Sequence, residues 1–191
     1  GTIEGQMSFN ELKRMHNDFD GGFKLEYVKD AAGKDLNYTV NYTMMRIDLD
    51  RPLQPKGRYT FKIKWWYNIN NRDEIGGRSG YEYFEEDDNY LYTIAQYYPR
   101  MAVYNEVEGW QNKQFLGRGE FTLTFGDYEV NITVPEDHIV ASTGTLQNAS
   151  QVLTAEQRDR MKKAEASDKP VMIVTPEEAL ENEGNKARGM K

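Results

Sequence analysis

The sequence predicts a mainly β protein, an antiparallel β-sandwich with short helices in its C-terminal tail. Three observations carry this. From Phe23 to about Leu146, apolar and polar residues alternate with a period of two, as they do in strands with one face on a core and one in water. Turn-forming groups such as Arg51-Pro52-Leu53-Gln54-Pro55-Lys56-Gly57 punctuate these runs, as in sheets built from many short strands. Almost no helix is expected within this stretch. A length of 191 residues suits one domain of ordinary size with an appendage.

Taken in order, residues 1–22 form a polar lead-in. Ser8-Phe9-Asn10-Glu11 has capping-box spacing and sets Phe9, Leu12 and Met15 on one helical face, with Asp20-Gly21-Gly22 as the stop. The clearest strand is Tyr59 to Ile69, with rings and aliphatics on every second position. Val40, Tyr42 and Met44 alternate in one phase and Met45, Ile47 and Leu49 in the other, so a bulge is expected near Met44-Met45. Further strands are expected at Tyr90 to Tyr98, Glu120 to Phe125 and Tyr128 to Val134, the last two joined by a tight Gly126-Asp127 hairpin. Residues 23–150 are thus the β domain.

Residues 151–191 differ in kind. Thr154-Ala155-Glu156-Gln157 is a capping box that opens a charged helix to about Ala166. Val171 to Val174 are expected as a short strand, and Thr175-Pro176-Glu177-Glu178 starts another helix, with cap and proline in their preferred places. Asn182 to Lys191 is polar and reads as a linker or frayed end. The start at Gly1 suggests a chain processed or excised from a longer reading frame.

Charge and composition exclude several function classes. With 24 basic and 31 acidic side chains the net charge is -7, against the basic surplus that phosphate binding needs, so nucleic acid is not an expected partner. No apolar run approaches the roughly 20 residues of a membrane-spanning helix. The chain has no cysteine, so it has no disulfide, thiolate ligand or cysteine nucleophile. His16 and His138 stand alone, without HExxH spacing, so no metal ligand and no catalytic residue is assigned. Glu85-Glu86-Asp87-Asp88 lacks the ligand spacing and glycine of a calcium loop and reads as a solvated turn. Gly117-Arg118-Gly119 leads into a strand pattern rather than a helix, so it offers no phosphate-binding helix end.

What remains is aromatic. Tyr90, Tyr92, Tyr97, Tyr98, Tyr104 and Trp110 mix with Gln96, Arg100, Asn105, Gln111 and Asn112. Rings beside amides and a guanidinium can stack on and hydrogen-bond a sugar or a peptide end. The same composition also suits a domain contact or an ordinary tyrosine-rich sheet.

Four segments in order carry a resemblance: Thr93-Ile94-Ala95-Gln96-Tyr97-Tyr98-Pro99-Arg100, Gly119 to Phe125, Tyr128 to Pro135, and Val140 to Leu146. Together they resemble the N-terminal, saddle-like β domain of the aminopeptidase N family of zinc metallopeptidases. That domain carries a Thr-Gln-x-(Glu/Gln)-(Pro/Ala) segment, then a strand of the type Phe-x-Leu-x-Ile, a Val-Pro step and a Ser-Asn-Gly-like turn. The resemblance implies a non-catalytic domain that caps a catalytic domain of the same polypeptide and lines the pocket for a peptide substrate's N-terminus. Gln96 falls on the family's pocket glutamine. Tyr98 takes the place of the family's Glu or Gln, and Ala95 that of the Thr, which alters the pocket's polarity. The HExxH and GxMEN motifs are absent here, so the resemblance implies zinc in the parent enzyme's catalytic domain and no cofactor in this chain. It leans to a periplasmic or secreted home. The alternative from the residues alone is a free-standing β-sandwich module that binds carbohydrate or peptide through the Tyr90 to Trp110 aromatics.

Overall fold

In a computed structural model of the chain, residues 8–9, 12–13, 16–114, 123–186 and 189–191 are described. Strand, at 24%, outweighs helix, at 16%, and the strands pair antiparallel in two-stranded sheets with no closed barrel among the described residues. Contacts divide the chain into two units. Unit 1 is Gly1–Tyr83 with Tyr90–Gly126; unit 2 is Phe84–Asn89 with Asp127–Lys191.

Unit 1 is organised by β1 (Lys24–Asp30) and β4 (Phe61–Trp66), which pair from Lys24↔Trp66 to Asp30↔Phe61. In β4, Phe61, Ile63 and Trp65 are half-buried while Lys62, Lys64 and Trp66 are exposed, as the alternation predicts. The strand is shorter than Tyr59 to Ile69 because its partner ends. A register shift between Leu25 and Tyr27 leaves Glu26 as the extra residue, and its carboxylate meets the Lys64 ammonium at 2.6 Å. After β1 the chain turns back so that the Leu36 N–H donates to the Val28 carbonyl at 2.9 Å. Val28 and Leu36, 2% and 5% exposed, are the buried hydrophobic residues among those described.

The phase switch at Met44-Met45 has a different cause from the expected bulge. β2 (Asn37–Asn41) and β3 (Met44–Asp48) form a hairpin, in register from Asn37↔Asp48 to Asn41↔Met44, with Tyr42-Thr43 as its turn. A two-residue turn and a one-residue bulge both shift the alternation by one, so the sequence does not separate them. Tyr42 has a φ of 52° and is 89% exposed, a left-handed backbone that disfavours any side chain with a Cβ. Tyr42→Gly is therefore expected to stabilise the chain by about 1 kcal/mol. Urea unfolding checks this, and a lower midpoint would show that the ring makes a needed contact. The turn is held from a distance: the Gln114 amide accepts from the Thr43 N–H at 2.9 Å and donates to the Asn41 carbonyl at 2.8 Å.

Beyond β4 come α1 (Arg72–Ile75), β5 (Gly80–Phe84) and β6 (Asn89–Thr93), then the short pair β7 (Tyr104–Asn105) and β8 (Gly109–Trp110). β5 pairs with β6, and Glu85-Glu86-Asp87-Asp88 is the turn between them, as its composition suggests. The strand expected to reach Tyr98 stops at Thr93.

Leu123 to Val134 contain no strand, so the Gly126-Asp127 hairpin does not form; residues 115–122, with the first half of its first arm and Gly117-Arg118-Gly119, lie outside the described residues. The end of the second arm has another partner. Val134 exchanges backbone hydrogen bonds with Lys191 at 3.0 and 2.9 Å, and the Glu136 N–H donates to Gly189 at 3.1 Å. Alternation marks a strand-like stretch but does not name its partner.

In unit 2, α2 (Ala149–Val152) precedes α3 (Ala155–Glu165) and α4 (Pro176–Glu181). Both expected capping boxes form: Thr154 with Gln157, and Thr175 with Glu178. Val171 to Val174 are not a strand; instead the Ile173 carbonyl accepts from Arg160 at 2.9 Å, and the same guanidinium nitrogen meets Glu178 at 2.5 Å. The Lys186 ammonium reaches the acidic turn, donating to the Asp88 carbonyl and, at 2.8 Å, to the Asn89 side chain.

The Arg160 hydrogen bond, then the Thr175 backbone, hold the Glu178 carboxyl below its ordinary range. A folded value below the unfolded one stabilises above the unfolded carboxylate range and is lost as pH falls through the folded value. Acid melting of the chain should therefore be less steep in Glu178→Gln; identical acid profiles would contradict that assignment. No described helix is long and apolar enough to cross a membrane.

Candidate functional site

Three segments of unit 1 build the region around Gln96. The first is the end of β4, where Trp65 packs beside Phe23 at 6.3 Å between ring centroids and Phe23 beside Tyr67 at 5.6 Å. Burial, then the charge of Tyr97, pushes the Tyr67 phenol above its usual value.

The second segment is a glycine-rich loop between α1 and β5. Asn71 caps α1 by accepting from the Asp73 N–H at 3.0 Å. Gly76 and Gly77 then turn the chain with φ of 78° and 102°, and Gly80 follows at 150°. A Cβ on Gly80 would lie 2.8 Å from the Asn70 carbonyl oxygen, so only glycine lets the two backbones approach. That approach is fixed by the Tyr81 N–H, which donates to the same carbonyl at 2.9 Å. Arg72 and Glu82 pair alongside. This loop presents Ser79.

The third is the strap after β6. Ala95 is bound on both backbone groups by the Ser79 hydroxyl, which accepts from its N–H and donates to its carbonyl, each at 2.9 Å. Two residues on, the Tyr97 carbonyl accepts from the Trp65 indole N–H at 3.1 Å. Between these anchors stands Gln96, exposed, with a φ of 54°. A left-handed backbone at a residue other than Gly, Asn or Asp is uncommon, and such conformations gather at binding sites. The Gln96 side chain brings one acceptor and two donors without charge.

Tyr98 is half-buried. Its ring meets Tyr97 edge-on at 5.0 Å, and the Arg100 guanidinium lies 5.5 Å from its centroid, within cation–π range. Arg100 also donates to the Thr124 carbonyl at 3.1 Å. The strap therefore carries an exposed amide at Gln96 and a phenol backed by a cation at Tyr98.

The six aromatics of the sequence cluster separate into three groups. Tyr90 and Tyr92 stack at 5.9 Å and 19° on the β5–β6 hairpin, joined by Tyr81 at 5.7 Å and Tyr83 at 4.7 Å from Tyr90. Tyr97 and Tyr98 belong to the strap. Tyr104 and Trp110 meet edge-on at 5.4 Å across β7–β8. Tyr81 and Tyr83 escaped the sequence reading, although their i, i+2 spacing is a strand signal. Asn105 is a turn residue, accepting from the Val107 and Glu108 N–H groups at 3.0 and 2.8 Å.

Neither histidine joins this region. His138 Nδ1 lies 2.7 Å from Asp137. His16 lines a cavity of about 930 Å³ with Phe9, Leu12, Lys13, Asn17, Asp73 and Glu74, and neither Gln96 nor Tyr98 reaches it. Among the described residues no three His, Asp or Glu side chains gather as metal ligands.

Compared with known proteins, the chain matches no family model, no curated protein and no solved structure.

Proposed function

We propose that this chain is the N-terminal, saddle-like β-sandwich domain of a zinc-dependent aminopeptidase of the aminopeptidase N family. On this reading it is non-catalytic, caps the catalytic domain of the same polypeptide and lines the pocket for the peptide's N-terminal residue. The observation that supports it is the backbone of Gln96. The residue that the resemblance assigns to the pocket is exposed, held left-handed and anchored on both sides. A side chain on a fixed backbone loses less freedom on binding, so an uncharged amide there positions a peptide end at low entropic cost.

Tyr98 supplies the neighbouring wall. Where the family pattern has a Glu or Gln, a phenol beside Arg100 offers no carboxylate to a cationic side chain. First residues with apolar or aromatic side chains are therefore the favoured substrates. Zinc, which would activate the attacking water, belongs on this reading to the catalytic domain. The described donors here do not fit it, and no step of hydrolysis is assigned to this chain.

The test is steady-state kinetics of the full-length protein with Gln96→Ala. KM is expected to rise about three- to tenfold, the worth of one lost hydrogen bond, with a smaller change in kcat. Unchanged KM across several N-terminal residues would overturn the assignment.

A second reading has its own observation. Tyr83, Tyr90 and Tyr92 are 41–49% exposed on one hairpin, a stacking surface for a free-standing carbohydrate- or peptide-binding module. It predicts quenching of the intrinsic fluorescence of the isolated chain by oligosaccharides or peptides.

A further inference from the structure

We infer that Ser79 is a positioning residue for the substrate pocket, acting through the backbone of Ala95 to fix where the Gln96 amide points. The inference rests on the reading of Gln96 as a pocket residue and adds to it a residue outside the resembling segments. A left-handed glutamine is strained relative to an ordinary backbone, so the conformation persists only where its neighbours hold it. Two groups do so. The Ser79 hydroxyl satisfies both the N–H and the carbonyl of Ala95, and the Trp65 indole N–H holds the Tyr97 carbonyl.

The two anchors are not equivalent. Trp65 is also part of the β4 aromatic group, so its loss disturbs packing as well. Ser79 stands in the loop that Gly76, Gly77 and Gly80 turn, and its hydroxyl bonds to the Ala95 backbone. Removing its oxygen frees two backbone groups of an exposed strap, which water then satisfies. The expected consequence is a freer φ at Gln96 rather than unfolding.

The experiment is a double-mutant cycle in the full-length protein, read by KM and kcat on aminoacyl-p-nitroanilides and by amide exchange over residues 93–98. Ser79→Ala should raise KM about two- to tenfold with a smaller effect on kcat, and it should speed exchange at Ala95. Ser79→Thr, which keeps the hydroxyl, should restore both. In the Gln96→Ala background Ser79→Ala should add nothing to KM, because both changes remove the same interaction. A raised KM in Gln96→Ala with wild-type KM in Ser79→Ala would overturn the inference while leaving the pocket reading intact, as would additive effects. Wild-type KM in Gln96→Ala would sink the pocket reading and this inference with it. Unchanged exchange at Ala95 in Ser79→Ala would defeat the clamp irrespective of activity.

Discussion

Replacing Leu36 by alanine is expected to lower the stability of unit 1 by about 3 kcal/mol. Leu36 and Val28 are the two hydrophobic residues whose side chains are buried among those described, and the Leu36 N–H to Val28 carbonyl bond ties them to β1. A small core concentrates the effect. With few other buried side chains to share the load, the cavity left by three missing carbons has little to collapse into. Against a typical domain stability of roughly 5–15 kcal/mol, that loss is large. Urea unfolding at constant m-value checks it. A midpoint within experimental error of wild type would show that the β1–β4 pair is not the stabilising centre of the unit.

Gly80→Ala is expected to cost about 2–3 kcal/mol, from two sources that act together. The backbone φ of 150° is one that residues with a Cβ rarely adopt, and the new methyl would press on the Asn70 carbonyl at 2.8 Å. Relief requires moving either Asn70, whose carbonyl accepts from Tyr81, or the start of β5. Either movement displaces Ser79, one residue away. The substitution should thus lower the melting temperature and raise KM together, whereas Tyr42→Gly in the β2–β3 hairpin should change stability alone. A Gly80→Ala protein with wild-type stability would show that the close approach to Asn70 is not needed.

What the sequence makes legible is local. The Thr154 and Thr175 capping boxes are each completed within four residues, so the pattern and the helix start coincide. The period-two pattern of Phe61 to Trp66 is likewise written in the strand itself. Pairing is not local. The same alternation in Tyr128 to Val134 does not reveal that Val134 pairs with Lys191 rather than with the preceding run. One phase change at Met44 fits a bulge or a turn equally well, and the turn is fixed by Gln114, some 70 residues away.

The candidate site divides in the same way. Gln96 and Tyr98 enter through the resemblance of a segment, which names residues without their conformation. Glutamine is not a residue type that announces a left-handed backbone, and the Ser79 hydroxyl that holds Ala95 lies 16 positions upstream with no motif around it. Only the glycines of Gly76-Gly77-Arg78-Ser79-Gly80 hint at a specially shaped loop.

The most direct measurement is the release of N-terminal residues from short peptides by the full-length protein, with and without a zinc chelator. Hydrolysis that the chelator abolishes and added zinc restores is expected, with a KM that rises in Gln96→Ala. Absence of any aminopeptidase activity in the zinc-supplemented full-length protein, or activity indifferent to chelation, would contradict it.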